Sequence, residues 1–331
     1  MLKKCAKGLL FVLLFLLTLQ GCSLPFVPDE ETPQSEAEDS SLPKLPEVLK
    51  GEEGQEPVLK VYIAEEDLLT EMPFEEYIAG VVAAEMDPSW DQTALAAQAI
   101  IARTFTLQKI AENGGVPERN AHASTGIEEF QAYDATRINE NVRAAVEATR
   151  GEVATYQNQF IRAWFHAYAG PKTAFADEGL DFEEGNPPYI QSVSSPGERI
   201  IPEEERGWSQ SFDLQAVQEA VQEITGKDPG TITTVEIAEK GPSGRVTVFK
   251  VNDLEVSAPA LRLALGSTEM RSTFVEELKI EDGKLLMSGT GYGHGVGMCQ
   301  WGARALAEEG RSPEGIVDYF YRDIELVMIW S

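Results

Sequence analysis

Glu85 closes the segment EEYIAGVVAAE, with Val82 three residues before it and Val81 four before it. Residues at those spacings share one face of a helix. A carboxylate on an apolar face is poorly solvated, so its pKa should rise. A carboxylic acid that keeps its proton near neutral pH is suited to general acid catalysis. The competing reading is a helix-end glutamate that points into water. A second concentration of chemistry lies at 288–302, SGTGYGHGVGMCQWG, where five glycines fall between positions 289 and 297. Glycine permits positive φ and close backbone approach to a ligand. Tyr292 and His294 are presented within this run, and a helix should follow Gly297, aiming backbone N–H groups toward them. A GxGxxG count can be forced here, but no strand–turn–helix context supports a dinucleotide site. The bland alternative is a structural glycine loop around a buried histidine. His166, in AWFHAYAG at 163–170, is a third candidate. A lone histidine is more often a packed core residue than a catalyst, and both readings stand. His122 reads as surface. No short spacing among His166, His294 and Cys299 matches a zinc pattern, so no metal and no other cofactor is expected.

Several elements must position these side chains. The sequence predicts a strand at 58–64 and a helix at 75–85, entered after Pro73 and stopped by Asp87-Pro88. Asp91 should cap a long buried helix that ends at Gly114-Gly115. Another helix is expected at 138–150, and a hairpin at 153–156 and 160–165 around Asn158-Gln159. Residues 171–210 read as loop. A helix at 213–225, strands at 231–238, 245–251 and 254–256, and a short helix at 259–265 suggest a smaller unit at about 211–260. A strand near Leu285 and a helix at 300–309 complete the chain. Helices and strands mix without regular βαβ alternation, so the expected fold class is α+β.

The N-terminus has its own logic. Lys3, Lys4 and Lys7 precede an apolar run from Leu9 to Leu19. That run is about half of the roughly 20 residues a membrane span needs, so 1–21 reads as a cleaved signal peptide. Leu19-Gln20-Gly21-Cys22 resembles a bacterial lipobox, which implies lipid on Cys22. The alternative is an ordinary secretory signal. Residues 22–57 are rich in Pro, Glu, Asp and Ser and form an acidic tether. A folded domain is expected at 58–331. With Cys5 lost and Cys22 acylated, Cys299 has no disulfide partner. The net charge of −28 disfavours nucleic acid and anionic lipid headgroups.

Three long segments together resemble the sporulation-D and amidase-enhancer (SpoIID/LytB) family of peptidoglycan-acting proteins. They are MPFEEYIAGVVAAEMDPSWDQTALAAQAIIARTF at 72–105, AVEATRGEVATYQNQFIRAWFHAYAGPKT at 145–173, and GTGYGHGVGMCQWGARALAEEG at 289–310, with Gln131-Ala132-Tyr133 between the first two. The resemblance implies small sheets and helices around a substrate cleft. It also implies a lytic transglycosylase that cuts the β-1,4 bond between N-acetylmuramic acid (MurNAc) and N-acetylglucosamine (GlcNAc). The product is a 1,6-anhydro-MurNAc end, and strands stripped of stem peptides would be preferred. Glu85 takes the catalytic position. Arg103, Gln131, His166, Tyr292 and His294 take substrate-binding positions. Around His166 the family's HSxSGG-type serines are absent and Pro171 replaces a glycine; the family's zinc-binding members carry a Cys near this histidine, and this chain has none there, so no metal is carried over. The implied partners are glycan strands and, through Cys22, a membrane; the implied place is the outer face of the cytoplasmic membrane, facing the wall. The family's other branch implies a second reading, a glycan-binding enhancer of a cell-wall amidase.

Overall fold

The computed structural model describes residues 43–49, 54–127 and 129–331. The expected signal peptide, Cys22 and the tether as far as residue 42 lie outside the described residues. Among those described, no helix is long and apolar enough to cross a membrane. The described end of the segment expected as tether makes contacts with the folded chain. Leu49 is buried in the main core, and Leu45 packs against it. Glu56 accepts a hydrogen bond from the Glu75 N–H at 2.7 Å and pairs with Arg150. These anchors fix the chain before the expected start of the domain at Val58.

Strands β1 (Val58–Ile63) and β2 (Leu68–Pro73) pair antiparallel, from Val58 opposite Pro73 to Ile63 opposite Leu68. Pro73 has a fixed φ that suits helix entry, and α1 (Phe74–Glu85) starts directly after it. Glu75 and Glu76 in the first turn complement the helix dipole. Helix α2 (Gln92–Asn113) begins where the Asp91 side chain accepts from the Thr93 N–H. It ends where Gly114, at φ 72°, donates its N–H to the Ile110 carbonyl. Its residues are buried on nearly every side, as a helix with no polar face requires. Strand β3 (Ala123–Ser124) lies parallel to β1, giving the order β2-β1-β3.

Asn139 caps α3 (Glu140–Ala148), which leads into β4 (Glu152–Tyr156) and β5 (Gln159–Phe160). The hairpin turn sits one residue earlier than expected. Gln157 and Asn158 take φ 52° and 60°, the two positive values a tight two-residue turn needs, and Gln159 is free to pair with Tyr156. Next come β6 (Phe165–His166), α4 (Ala176–Leu180) and α5 (Glu203–Arg206).

From here the chain builds a second core. Its elements are β7 (Gly207–Asp213), α6 (Leu214–Thr225), β8 (Val235–Lys240), β9 (Val246–Val251), β10 (Leu254–Ser257), α7 (Ala258–Ala264), β11 (Val275–Glu281) and β12 (Lys284–Thr290). Two antiparallel sheets, ordered β10-β9-β8 and β11-β12-β7, frame an apolar cluster that runs from Trp208 to Met287. This cluster is wider than the 211–260 expected, because β7, β11 and β12 flank it on both sides. The excursion closes where it opened: the Arg206 carbonyl accepts from the Gly291 N–H at 3.1 Å and from the Thr290 hydroxyl at 2.9 Å.

The last elements, β13 (Met298–Cys299), α8 (Gln300–Glu308), α9 (Pro313–Phe320) and β14 (Glu325–Met328), return to the main core. There β14 pairs antiparallel with β4, and β13 pairs parallel with β6. Helices α1, α3, α8 and α9 and strand β4 all pack on α2. The fold is α+β, as the mixed pattern of the sequence implies.

Candidate functional site

Glu85 is the last residue of α1, and Val81 and Val82 on its own face are fully buried. The Ala132 N–H donates to its Oε1 at 3.1 Å, and the Gln300 side chain also hydrogen-bonds the carboxylate. Both contacts favour the ionised form. Burial outweighs them and lifts the pKa from an ordinary 4.5 to about 7. Gln300 is the first residue of α8, and its amide reaches Gln98 Oε1 on α2 at 3.5 Å. Gln98 is fully buried, and its own amide nitrogen has no partner among the described residues. Replacing Gln300 with Leu should therefore push the Glu85 pKa above about 7, since a donor to the carboxylate is lost. A carboxyl NMR titration reads this directly. An unchanged or lower value would exclude Gln300 as that donor.

An aromatic wall continues from this point. The ring centroids of Trp90, between α1 and α2, and Trp301, on α8, lie 4.7 Å apart. The Arg304 guanidinium sits 5.0 Å from each ring, within cation–π range. Trp301 also lines a cavity of about 180 Å³, shared with Ala167, Tyr168, Arg271 and Tyr292.

The glycine run reaches this cavity by threading between two rows of side chains. Tyr168 and Tyr292 exchange backbone hydrogen bonds of 3.0 and 2.8 Å, and His166 pairs with Cys299 across β6 and β13. Gly293 has φ 105°, and a Cβ there would sit 2.7 Å from that of His166. Gly295 has φ 84°, and a Cβ there would fall 2.3 Å from the Arg245 guanidinium. Only glycine fits both conditions. Arg245 is fully buried and donates to the carbonyls of Ala169 and Lys172. It thus ties a β9 neighbour to the loop after His166. Burial lowers its pKa to about 10, leaving it charged at neutral pH.

The rings of His166 and His294 are 5.6 Å apart. Nδ1 of His166 lies 3.1 Å from the Val296 carbonyl, so this nitrogen carries the proton, and the buried Nε2 has no partner among the described residues. Nδ1 of His294 accepts from the Val296 N–H at 3.1 Å. Burial, reinforced by Arg262 and Arg245, holds the His294 pKa down at about 3. Burial likewise lowers that of His166, with His294 and Arg245 adding to it. Both rings are neutral at physiological pH, and backbone groups fix their orientation.

Three residues expected to touch substrate do not sit where a ligand reaches. Arg103 is fully buried; its Nε and Nη2 bond the Glu75 carboxylate and its Nη1 donates to the Glu152 carbonyl. Its donors are spent inside the core. Gln131 is buried too, with its amide on the Thr106 hydroxyl, and the contact with Glu85 comes from the next backbone N–H, that of Ala132. His166 is 5% exposed, which also removes it from direct reach. Tyr292 opens on the cavity. His122, expected on the surface, is half-buried and accepts from the Lys60 N–H on β1. Cys299 is buried, with the N–H groups of Ala169 and Gly302 on its sulfur. Burial raises its pKa, so it behaves as an inert thiol. Sequence reasoning missed Gln98, Gln300, Trp90 and Trp301. A signal existed for Trp90, a large aromatic stranded in a turn between a helix stop and a helix cap.

Residues 62–156 match the family model described as SpoIID, stage II sporulation protein. The chain carries a SpoIID-family domain. The SpoIID segment holds α1, Glu85, α2 and the Ala132 backbone. Residues 203–297 match a second model, a domain of unknown function (DUF8618), which includes the second core and the cavity residues Arg271 and Tyr292. The chain is 28% identical over 303 residues to a stage II sporulation protein D of Bacillus amyloliquefaciens, covering 86% of this chain and 84% of that one. Against the protein of the same name from Bacillus subtilis the identity is 28% over 281 residues, covering 81% and 78%. An amidase enhancer of Bacillus subtilis is 27% identical over 295 residues, covering 74% of this chain and 39% of that longer relative.

Proposed function

We propose that the chain is a peptidoglycan lytic transglycosylase with Glu85 as its catalytic residue. The observation that carries this reading is a single carboxyl poised at a pKa of about 7, held by Ala132 and Gln300. Among the described residues, no second carboxylate contributes to its titration. Hydrolysis with retention or inversion uses two carboxyl groups at a defined separation. Attack by a hydroxyl of the substrate itself needs one. Protonated Glu85 gives its proton to the glycosidic oxygen as the bond to C1 of MurNAc breaks. The C6 hydroxyl of the same sugar then bonds to C1 and returns its proton to the Glu85 carboxylate. The products are a free GlcNAc 4-hydroxyl and a 1,6-anhydro ring, with no water consumed.

On this reading residues 1–21 export the chain, lipid on Cys22 holds it at the outer face of the cytoplasmic membrane, and the acidic segment spaces the domain toward the wall. Incorporation of a fatty-acid analogue, expected to vanish in Cys22→Ala, tests the anchor. The central test incubates the full-length chain in detergent with purified glycan strands, with and without stem peptides. Mass spectrometry should find anhydromuramic ends, most abundantly from strands without peptides. Reducing ends with incorporated water would sink the mechanism. The similarity to an amidase enhancer supports a second reading, in which the chain binds glycan and stimulates an amidase. That reading gains if no glycan product forms and an added amidase is accelerated.

A further inference from the structure

Gln98 takes no part in the chemistry described so far, yet it occupies a place where an apolar residue would cost less. It lies on α2 with no exposed surface and faces Gln300 at the start of α8. Its Oε1 accepts from the Gln300 amide at 3.5 Å, while its own Nε2 has no partner among the described residues. A buried donor without an acceptor gives up its hydration for nothing in return. Methionine would fill similar space without that loss. Gln300 is itself 5% exposed, and its side chain also donates to the Glu85 carboxylate. Glu85 keeps part of its surface open. Three side chains thus run inward from the proposed acid: Glu85, Gln300 and Gln98.

In this arrangement the Gln300 amide nitrogen gives one hydrogen to Glu85 and the other to Gln98. That polarity suits an ionised Glu85, which can only accept. It does not suit the neutral acid, whose O–H needs an acceptor. The oxygen and nitrogen of an amide are nearly the same size, so a half-turn of the group exchanges donor and acceptor in place. When both amides turn, Gln300 Oε1 accepts from the Glu85 O–H and from Gln98 Nε2. The orphaned donor then has its partner. The Gln98 oxygen is left over, and an unsatisfied carbonyl is tolerated better than an unsatisfied N–H.

We infer that Gln98 and Gln300 form a reversible amide pair, in which Gln98 supports either polarity of Gln300 so that it bonds Glu85 in both protonation states. The inference rests on the reading of Glu85 as an acid that becomes a base. In that cycle the carboxyl gives a proton to the glycosidic oxygen and regains one from the C6 hydroxyl. The pair accepts from the acid before and after, and donates to the carboxylate in between. Gln98 touches no reacting atom and is a positioning residue, acting through Gln300. Charged groups around α1 are engaged elsewhere. Arg103 and Arg143 hold Glu75 and Glu76 in its first turn. Arg137, in the turn Ala135–Arg137, donates to the Ala84 and Met86 carbonyls, and Arg304 on α8 pairs with Glu308. Tyr77, on the same helix, stays protonated, chiefly through burial. Among the described residues none of these contributes to the titration of Glu85.

The test needs no glycan. The full-length chain in detergent, isotope-labelled in its glutamate carboxyls and glutamine amides, is titrated by NMR across the Glu85 midpoint near 7, with Glu85→Gln and Gln98→Met identifying the signals. As pH falls through that midpoint the Gln98 amide protons should move downfield, since they gain an acceptor only in the reversed arrangement. In Gln300→Leu this movement should vanish although Glu85 still titrates. Gln98→Met should raise the Glu85 midpoint by about 0.5–1 pH unit, because donation to the carboxylate then leaves the second Gln300 hydrogen without an acceptor. Gln98→Met/Gln300→Leu should match Gln300→Leu alone, as expected of a residue that acts only through its neighbour. Gln98 amide signals that ignore the titration of Glu85 overturn the reversal, and that readout needs no variant to fold. An unchanged midpoint in Gln98→Met, with or without a lower melting temperature, overturns the coupling and leaves Gln98 a packing residue. A double variant shifted beyond Gln300→Leu alone overturns the route through Gln300. Absence of anhydromuramic product, with the NMR responses as expected, defeats the glycan reading and leaves the amide pair standing.

Discussion

Glu85→Gln should lose glycan cleavage by about 10³-fold or more, because one residue supplies both the acid and the base of the cycle. The same change should stabilise the protein above neutral pH. The folded pKa of Glu85 is raised from 4.5 to about 7, so between those values the folded chain holds a proton that the unfolded chain has released. Stability that the neutral carboxyl contributes is present below about pH 4.5, falls as pH rises, and is gone above about 7. Glutamine never ionises and escapes that loss. The gain should be about 3 kcal/mol at pH 8 and close to zero at pH 4.5. Denaturant titrations at the two pH values measure it. A variant destabilised at both would show that Glu85 is a structural partner and not a strained acid. Cleavage by the unmodified chain should fall about tenfold per pH unit above about 7, as the acid form is depleted.

Arg103→Met should cost about 3–5 kcal/mol and leave cleavage by the folded protein nearly intact. Glu75 is 7% exposed and accepts from four donors: Arg103 Nε and Nη2, the Gly151 N–H at 3.0 Å, and the Trp330 indole at 2.8 Å. Removing the guanidinium strands a buried carboxylate, and breaking one side of such a pair carries that penalty. The Arg103→Met/Glu75→Gln double variant should recover part of the loss. Glu75 and Glu85 stand at opposite ends of α1, about 15 Å apart along its axis. Thermal melts and kcat/KM at a temperature where both proteins are folded separate the two effects. A large fall in kcat/KM with unchanged stability would return Arg103 to the substrate.

These two residues also mark what the sequence could and could not convey. The setting of Glu85 was legible because its cause is local: Val81 and Val82 lie within one turn on the same helix. The partners that temper its pKa were not, since Ala132 and Gln300 arrive from distant parts of the chain. Arg103 was misplaced for a related reason. Its position in a recurring motif marks importance, but motif position cannot tell a ligand contact from an ion pair made with Glu75, 28 residues away. Strand β11, VEELKIE, stayed hidden because its charged residues lie on an exposed face and leave few buried apolar side chains to count. The glycine run was readable as permission for unusual backbone. Which neighbours demanded it, His166 and Arg245, emerged only once β6 and β13 were side by side.

Arg206 and Gly291 meet through one hydrogen bond, so everything between them is an ear whose two ends leave the main core side by side, with Arg245 as a further tie to the Ala169 and Lys172 carbonyls. Length changes in its exposed turns, away from Arg245, should leave the approach of α8 to α1 in place. Glu85 and Gln300 are far apart in sequence, yet their separation in space is set by chain outside the ear. Those turns can therefore be resized without re-tuning the acid.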